Sequence, residues 1–146
     1  MLLKAKVALI TGAGAGIGEA TAKLFAAEGA HIAILDRDAG GAASVAAAIR
    51  AAGGSAFAQA GDVRDVVAIS STIDRAIAEY GSLDILINNA GIYPRCPILT
   101  MTEEDWDEVL SVNLKGVFQC TRLALPHMIP RRSGKIVNIS TVNFHL

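Results

Sequence analysis

Near the start of the chain, Thr11-Gly12-Ala13-Gly14-Ala15-Gly16-Ile17-Gly18 follows the apolar run Val7-Ala8-Leu9-Ile10 and precedes an Ala-rich segment. A glycine-rich loop between a strand and a helix suits a phosphate group. Glycines turn the chain tightly and let backbone N–H groups approach the ligand, and a helix N-terminus adds partial positive charge. A GxGxxG register needs glycine at 12, 14 and 17, but position 17 is Ile. The pattern is TGxxxGxG, with glycines at 12, 16 and 18. It lacks the Lys-Ser/Thr end of a P-loop. A purely structural turn has a similar composition, so the loop needs a second residue to give it meaning.

Asp36 supplies it. This acid ends the second apolar run, His31-Ile32-Ala33-Ile34-Leu35, 18 residues after Gly18. A carboxylate placed there accepts hydrogen bonds from the adenosine ribose hydroxyls of a dinucleotide and repels a 2′-phosphate. The expected cofactor is therefore NAD, with NADP less favoured. Ala13 and Ala15 offer no base for a 2′-phosphate, whereas Arg37 can. A solvated turn acid is the plainer alternative for Asp36.

Other chemistry is thin. His31, His127 and His145 form no HxxxH and no His/Cys cluster, so no metal site is expected. Cys96 and Cys120 show no CxxC and read as free thiols of a reducing, cytoplasmic setting. Glu103, Glu104, Asp105 and Asp107 read as a solvated acidic helix start, not as a carboxylate pair.

The elements that must carry the loop and the acid alternate along the chain. Strands are expected at Val7–Ile10, His31–Leu35, Ser55–Ala60, Leu83–Ile87 and Lys135–Ile139. Helices are expected at Gly16–Glu28, Gly40–Ala52, from an Asp65 cap to Tyr80, and from a Thr102 cap to about Met128. Apolar strands alternating with helices imply an α/β fold with a parallel sheet covered on both sides; a Rossmann-type doubly wound sheet with the order 3-2-1-4-5 is expected. One domain over residues 1–146 is expected, with no linker or repeat. The chain stops seven residues after Ile139, so no helix follows to cover the fifth strand. A bare apolar edge strand is a hazard; either something covers it or the chain is truncated after that strand.

Composition agrees with a buried, folded domain: 52% hydrophobic, 18% charged and only 5% aromatic residues, so the core is aliphatic and Ala-rich. A net charge of −1 gives no field for nucleic acid or an anionic membrane. Arg131-Arg132, the paired basic cluster, reads as a favourable helix C-terminal charge more readily than as a phosphate site. The apolar run of the N-terminus stops after four residues, at Thr11, too early for a signal peptide. No apolar stretch approaches the roughly 20 residues of a membrane helix.

Further motifs join the loop. Asp62-Val63 follows the third strand and Asn88-Asn89-Ala90-Gly91 the fourth. Ser111-Val112-Asn113-Leu114 lies in the long helix, and Ile136-Val137-Asn138-Ile139-Ser140-Thr141 makes the fifth strand and its end. With TGxxxGIG, this set resembles the short-chain dehydrogenase/reductase family from about Lys6 to Val142. The resemblance implies an oxidoreductase moving a hydride between a nicotinamide and an alcohol or carbonyl. It implies that Gly12, Ala15, Gly16, Ile17 and Gly18 hold the pyrophosphate, and that Asp36 with Arg37 holds the ribose. It further implies that Asp62 and Val63 border the adenine, and that Asn89, Ala90 and Gly91 approach the ribose and support the sheet. Asn88 either shares that work or ties loop backbone together. Asn113 is implied to support a proton-relay water. The family's serine falls at Thr141, which keeps the hydroxyl, with Ser140 one residue earlier as the fallback; either can instead satisfy backbone at a strand end.

The family's proton donor is a Tyr with a Lys four residues on. Here Tyr80 is followed at that spacing by Asp84 and Tyr93 by Pro97. A phenol with a pKa near about 10 needs such a cation to act near neutrality. The expectation is thus a cofactor-binding portion that does not turn over as this chain. The alternatives are a non-catalytic dinucleotide-binding or interaction module, or a degenerate product. A homo-oligomer is expected for a full-length form and doubtful here, and the substrate pocket is not in this sequence.

Overall fold

A computed structural model describes residues 1–140. Five strands and five α-helices alternate. The strands are β1 (Val7–Thr11), β2 (His31–Asp36), β3 (Ser55–Ala60), β4 (Ile85–Asn88) and β5 (Lys135–Asn138). The helices are α1 (Gly16–Ala27), α2 (Ala39–Ala51), α3 (Val66–Tyr80), α4 (Glu103–Leu110) and α5 (Val117–Met128), and a π-helical turn (Ser111–Gly116) joins the last two. All the strand pairs are parallel, in the order β3-β2-β1-β4-β5. This is the Rossmann-type sheet expected from the sequence.

Alternation along each strand divides the interior between the two faces of the sheet, because successive side chains point to opposite sides. Val7, Leu9, Ala33, Leu35, Phe57 and Leu86 share one cluster with Ile69, Ile73 and Ala76 of α3 and Cys120, Ala124 and Met128 of α5. Ala8, Ile10, Ile32, Ile34, Ala56, Ile85 and Ile87 share the other with Ala22 of α1 and Ala42, Val45, Ala46 and Ile49 of α2. Burial on both sides explains why β1 and β4 read as unbroken apolar runs. Alanine on α1 and α2 lets these helices lie close over Ile10, Ile32 and Ile34.

The helix ends follow their local chemistry. Asp65 accepts from the N–H groups of Val67 and Ala68 at the start of α3, and Gly81 ends that helix at φ +88°. Thr102 and Asp105 cap each other reciprocally at α4. Asp38 caps α2 through Gly40 and Gly41, a cap not anticipated from sequence. The long helix expected from Thr102 to Met128 is not one α-helix: Ser111–Gly116 winds as a π-turn. Beyond it, Pro126 sits inside α5, near its end.

At the other end of the strands, Asp84 locks β1, β4 and the α5–β5 connection together. Its carboxylate accepts from Val7 N–H at 3.0 Å and from Ser82 Oγ at 2.8 Å, and it pairs with the Arg131 guanidinium. Arg131 also donates to Leu83 O at 3.1 Å. Arg131 of the basic pair thus makes a partly buried structural ion pair rather than a helix-end charge alone. β5 is the least protected strand: Val137 is 44% exposed, and no helix covers that face among the described residues.

Candidate functional site

A cleft of about 320 Å³ opens at the C-terminal ends of the strands, where β1 leads to one side of the sheet and β4 to the other. Ligands of open α/β sheets bind at such a switch point. Its walls include Gly12, Ala15, Ile17, Asp36, Arg37, Asp62, Val63, Asn89, Ala90 and Gly91. These are ten of the twelve cofactor-site residues expected from sequence, brought together from four loops. The other two, Gly16 and Gly18, lie in the first turn of α1 behind Ala15 and Ile17.

The glycines have different jobs. Gly12 has φ +66°, and a Cβ there would lie 2.7 Å from Ala90 Cα, so both conformation and space demand glycine. Gly18 has no such φ, but its Cβ would come 2.6 Å from Asn89 Nδ2 and 2.8 Å from Ala13 Cα. It serves close packing of helix on loop. Gly16 has φ +59° with nothing within 4 Å of a Cβ. Open space above a left-handed glycine at a helix start is the cradle a phosphate needs. No side chain caps α1 at Ala15. Its first N–H groups have no intrahelical partners and carry the positive end of the helix dipole. The cradle and the donor set fit a dinucleotide pyrophosphate.

The floor of the cleft is fixed by hydrogen bonds between β1 and β4. Thr11, 1% exposed, accepts at Oγ1 from Asn89 N–H (3.1 Å) and Ala90 N–H (3.0 Å), and donates toward Ile87 O (3.4 Å). Asn89 Nδ2 donates to Thr11 O at 3.0 Å and Gly12 O at 2.8 Å. The first glycine turn and the Asn-Asn-Ala-Gly segment therefore hold each other. Asn88 acts one strand over, donating from Nδ2 to Thr121 Oγ1 (3.2 Å) and Asn138 Oδ1 (2.8 Å). Neither bond is to loop backbone, a role expected for it: Asn88 instead joins β4 to α5 and β5 side chain to side chain.

At the end of β2, the Asp36 carboxylate accepts from Gly14 N–H at 2.7 Å and from Asp38 N–H at 2.9 Å. Further along the wall, Asp62 takes a two-pronged contact from Arg64, Nε at 3.0 Å and Nη2 at 2.7 Å, as well as the Arg64 N–H at 2.8 Å. The Arg64 bonds hold the Asp62 carboxyl below its ordinary range against partial burial, and the charge of Arg37 adds to the effect. Arg64 also reaches Glu108 of α4 at 3.8 Å.

Asn113 does not line the cleft but governs a residue that does. Its Oδ1 accepts from Ile92 N–H and its Nδ2 donates to Ile92 O, both at 2.8 Å. The side-chain amide is thus used in a two-point clasp, and Ile92 and Val112 lie in the wall. The π-turn carries this clasp, in keeping with the tendency of such turns to occur at functional sites. Ser140 is exposed just beyond β5, at the same end of the sheet. Thr141 lies outside the described residues.

Sequence reasoning missed Thr11, Gly14, Gly61, Ile92 and Val112. Gly61 had a legible signal, since it directly precedes Asp62 at a strand end, and its Cβ would come 2.6 Å from Ala68 Cβ. Thr11 belongs to the loop motif, but its hydrogen-bonding task depends on β4 and leaves no local signal.

The comparisons with known proteins meet this geometry. The sequence model of the short chain dehydrogenase family matches residues 6–145. The chain belongs to the short-chain dehydrogenase family. It is 42% identical over 142 residues to 3-oxoacyl-(acyl-carrier-protein) reductase of Thermotoga maritima, covering 97% of this chain and 58% of that protein. Identity to cis-4-hydroxycyclohexanecarboxylate dehydrogenase of Sinomonas cyclohexanicum is 45% over 138 residues, 94% of this chain and 55% of that protein. With 2,3-dihydro-2,3-dihydroxybenzoate dehydrogenase of Bacillus subtilis it is 40% over 139 residues, 95% and 53% respectively. The chain spans a little over half the length of these curated relatives. The short-chain dehydrogenase relatives include one named as a reductase and two as dehydrogenases, so their names do not converge on one substrate.

Two other features bear on chemistry. Tyr80 stacks on His31 (4.9 Å between centroids) at the start of β2, the end of the sheet away from the cleft, and burial pushes its phenol up. It has no path to a ligand in the cleft. Cys120 is buried, which pushes its thiol up to about 12 and makes it inert. Among the described residues, no group of three His, Cys, Asp or Glu side chains is placed to hold a metal, and no helix is long and apolar enough to cross a membrane.

Proposed function

We propose that these residues form the nicotinamide-dinucleotide site of a short-chain oxidoreductase acting on an alcohol or carbonyl, with NAD favoured over NADP. The observation that carries the reading is the open cradle at Gly16, at the start of an uncapped helix, next to a cleft walled by its neighbours Ala15 and Ile17 and by the Asp36 carboxylate. When bound, the nicotinamide ring supplies the hydride.

The chain's own residues do the rest of what can be derived. Gly12, Ala15, Gly16, Ile17 and Gly18 present backbone N–H groups and close packing to the pyrophosphate. Asp36 accepts from ribose hydroxyls with the lone pairs left by Gly14 and Asp38, and its charge opposes a 2′-phosphate; Arg37 would attract one. Asp62 and Val63 border the adenine. Asn89, Ala90 and Gly91 form the floor toward the second ribose, and Asn113 holds Ile92 beside them. Ser140 and Thr141 follow β5, where a hydroxyl can donate to a substrate carbonyl. The family's Tyr–Lys proton-transfer pair has no match here: Tyr80 and Tyr93 have Asp84 and Pro97 four residues on. A polypeptide of these 146 residues therefore binds cofactor without turning over substrate.

Calorimetric titration with NAD and NADP tests the site: saturable binding, tighter for NAD, is expected, and no binding of either would sink the proposal. Alcohol-dependent NADH formation by material of confirmed mass would refute the inactivity. A second reading, a dinucleotide-binding interaction module, draws on the apolar ridge of Trp106, Leu114 and Phe118, each more than half exposed along α4 to α5. The same ridge suits pairing of two copies in a longer form.

A further inference from the structure

We infer that Gly14, a glycine outside the TGxxxGxG positions, sets cofactor choice by positioning Asp36. The inference rests on the cleft being a dinucleotide site.

Asp36 is gripped on both oxygens by backbone. Gly14 N–H donates to Oδ2 at 2.7 Å and Asp38 N–H to Oδ1 at 2.9 Å. Backbone donors cannot rotate away as a side chain can, so the carboxylate arrives at the ribose already oriented. Preorganised acceptors lose less freedom when the ligand binds.

Gly14 does not need to be glycine for conformational reasons, since its φ is not positive. It needs to be glycine for space. A Cβ at 14 would lie 2.9 Å from Asp36 Oδ2, 3.2 Å from Asp36 Cγ and 3.1 Å from Ala42 N. The opposite wall is as tight: a Cβ on Gly41 would lie 2.8 Å from Gly14 O. The glycine loop, the end of β2 and the first turn of α2 therefore interlock around a position that admits a side chain only if a neighbour shifts. A methyl group there meets two atoms of the Asp36 carboxyl on one side and rigid backbone on the other. The side chain is the part that can swing. Swinging it takes the carboxylate off the ribose, leaving its chain neighbour Arg37 as a basic group in the cleft lining.

Gly14→Ala is expected to weaken NAD binding about tenfold, the loss of one charged hydrogen bond to a ribose hydroxyl. NADP binding should change less than about threefold, so the ratio of the two affinities moves by several fold. A glycine with only a folding role would lower both affinities equally. In an Asp36→Ala background, Gly14→Ala should change NAD binding less than about twofold, because the group it positions is gone. Equal loss of NAD and NADP, or an undiminished effect in that background, overturns the inference while leaving the dinucleotide site intact. A parent chain that binds neither cofactor overturns both. If Gly14→Ala fails to fold, the parent decides. Its Gly14 amide proton should move upfield in 1H–15N spectra on Asp36→Ala, which removes the carboxylate it donates to. A Gly14 amide that the substitution leaves in place refutes the contact.

Discussion

Replacing Thr11 by Val removes one oxygen and keeps the shape of the side chain, which makes it a clean probe of the β1–β4 clasp. The hydroxyl accepts from the N–H groups of Asn89 and Ala90 and donates toward Ile87 O. Val leaves those two donors facing a methyl group. Each unpaired buried donor costs about 1–3 kcal/mol, and because these two amides are only partly buried the lower half applies, giving about 2–4 kcal/mol in total. Thr11→Ser keeps all three bonds and loses one methyl group, a cost of about 1 kcal/mol. Urea unfolding of the parent, the Val variant and the Ser variant reads the difference directly. Expected is an order in which Ser lies close to the parent and Val well below it, with an unchanged denaturant slope. The Val variant should also bind dinucleotide more weakly than Ser, because Asn89 and Ala90 lie in the cleft wall. If Val is as stable as Ser, the hydroxyl is not what holds the cleft floor, and the reasoning about Thr11 fails.

Asp84→Asn should cost about 2–4 kcal/mol, below the about 3–5 kcal/mol of breaking a fully buried pair, since Arg131 is 38% exposed. Burial pushes the Asp84 carboxyl up, but bonds from Val7 N–H, Ser82 and Arg131 outweigh it and hold the carboxyl below 3.8. That contribution to stability is full above the unfolded value near 3.8 and is lost as pH falls further; acid unfolding curves should show this dependence in the parent and lose it in the Asn variant. Gly16→Ala should cost only about 1–2 kcal/mol for its left-handed backbone, since nothing lies near the new methyl, yet it should weaken dinucleotide binding far more than stability; paired calorimetric and unfolding measurements check the split. Asn113→Ala should remove both bonds to Ile92 and destabilise by about 1–3 kcal/mol, with faster amide exchange at Ile92 as the local signature.

Much of this was legible in the residues because local and global signals agreed. Asp65, Gly81 and Thr102 mark helix ends by side-chain and backbone chemistry that acts within a few residues, and each end fell where expected. The parallel sheet followed from apolar runs alternating with helices, and its order, 3-2-1-4-5, was the one expected of a Rossmann-type sheet. The π-turn was not legible, since Ser111-Val112-Asn113-Leu114 carries an ordinary helical pattern and the turn widens only around the Asn113–Ile92 clasp. Arg131 gave no sign of its partner, because Asp84 lies 47 residues earlier and meets it only when β4 and β5 pair. Thr11 and Gly14 illustrate the same limit within the site. Their tasks involve residues brought close by the parallel sheet and the start of α2, so spacing along the loop could not reveal them. The glycine at 16, by contrast, does its work through its own φ and the helix it opens.

The most direct test of the central claim is a 1H–15N spectral titration of the chain with NAD. The amides of Gly12, Ile17, Gly18, Asp36, Ala90 and Gly91 are predicted to shift together and saturate, while those of the α5–β5 turn stay put. No saturable change up to millimolar NAD, or shifts confined to the exposed ridge of α4 and α5, would contradict the account.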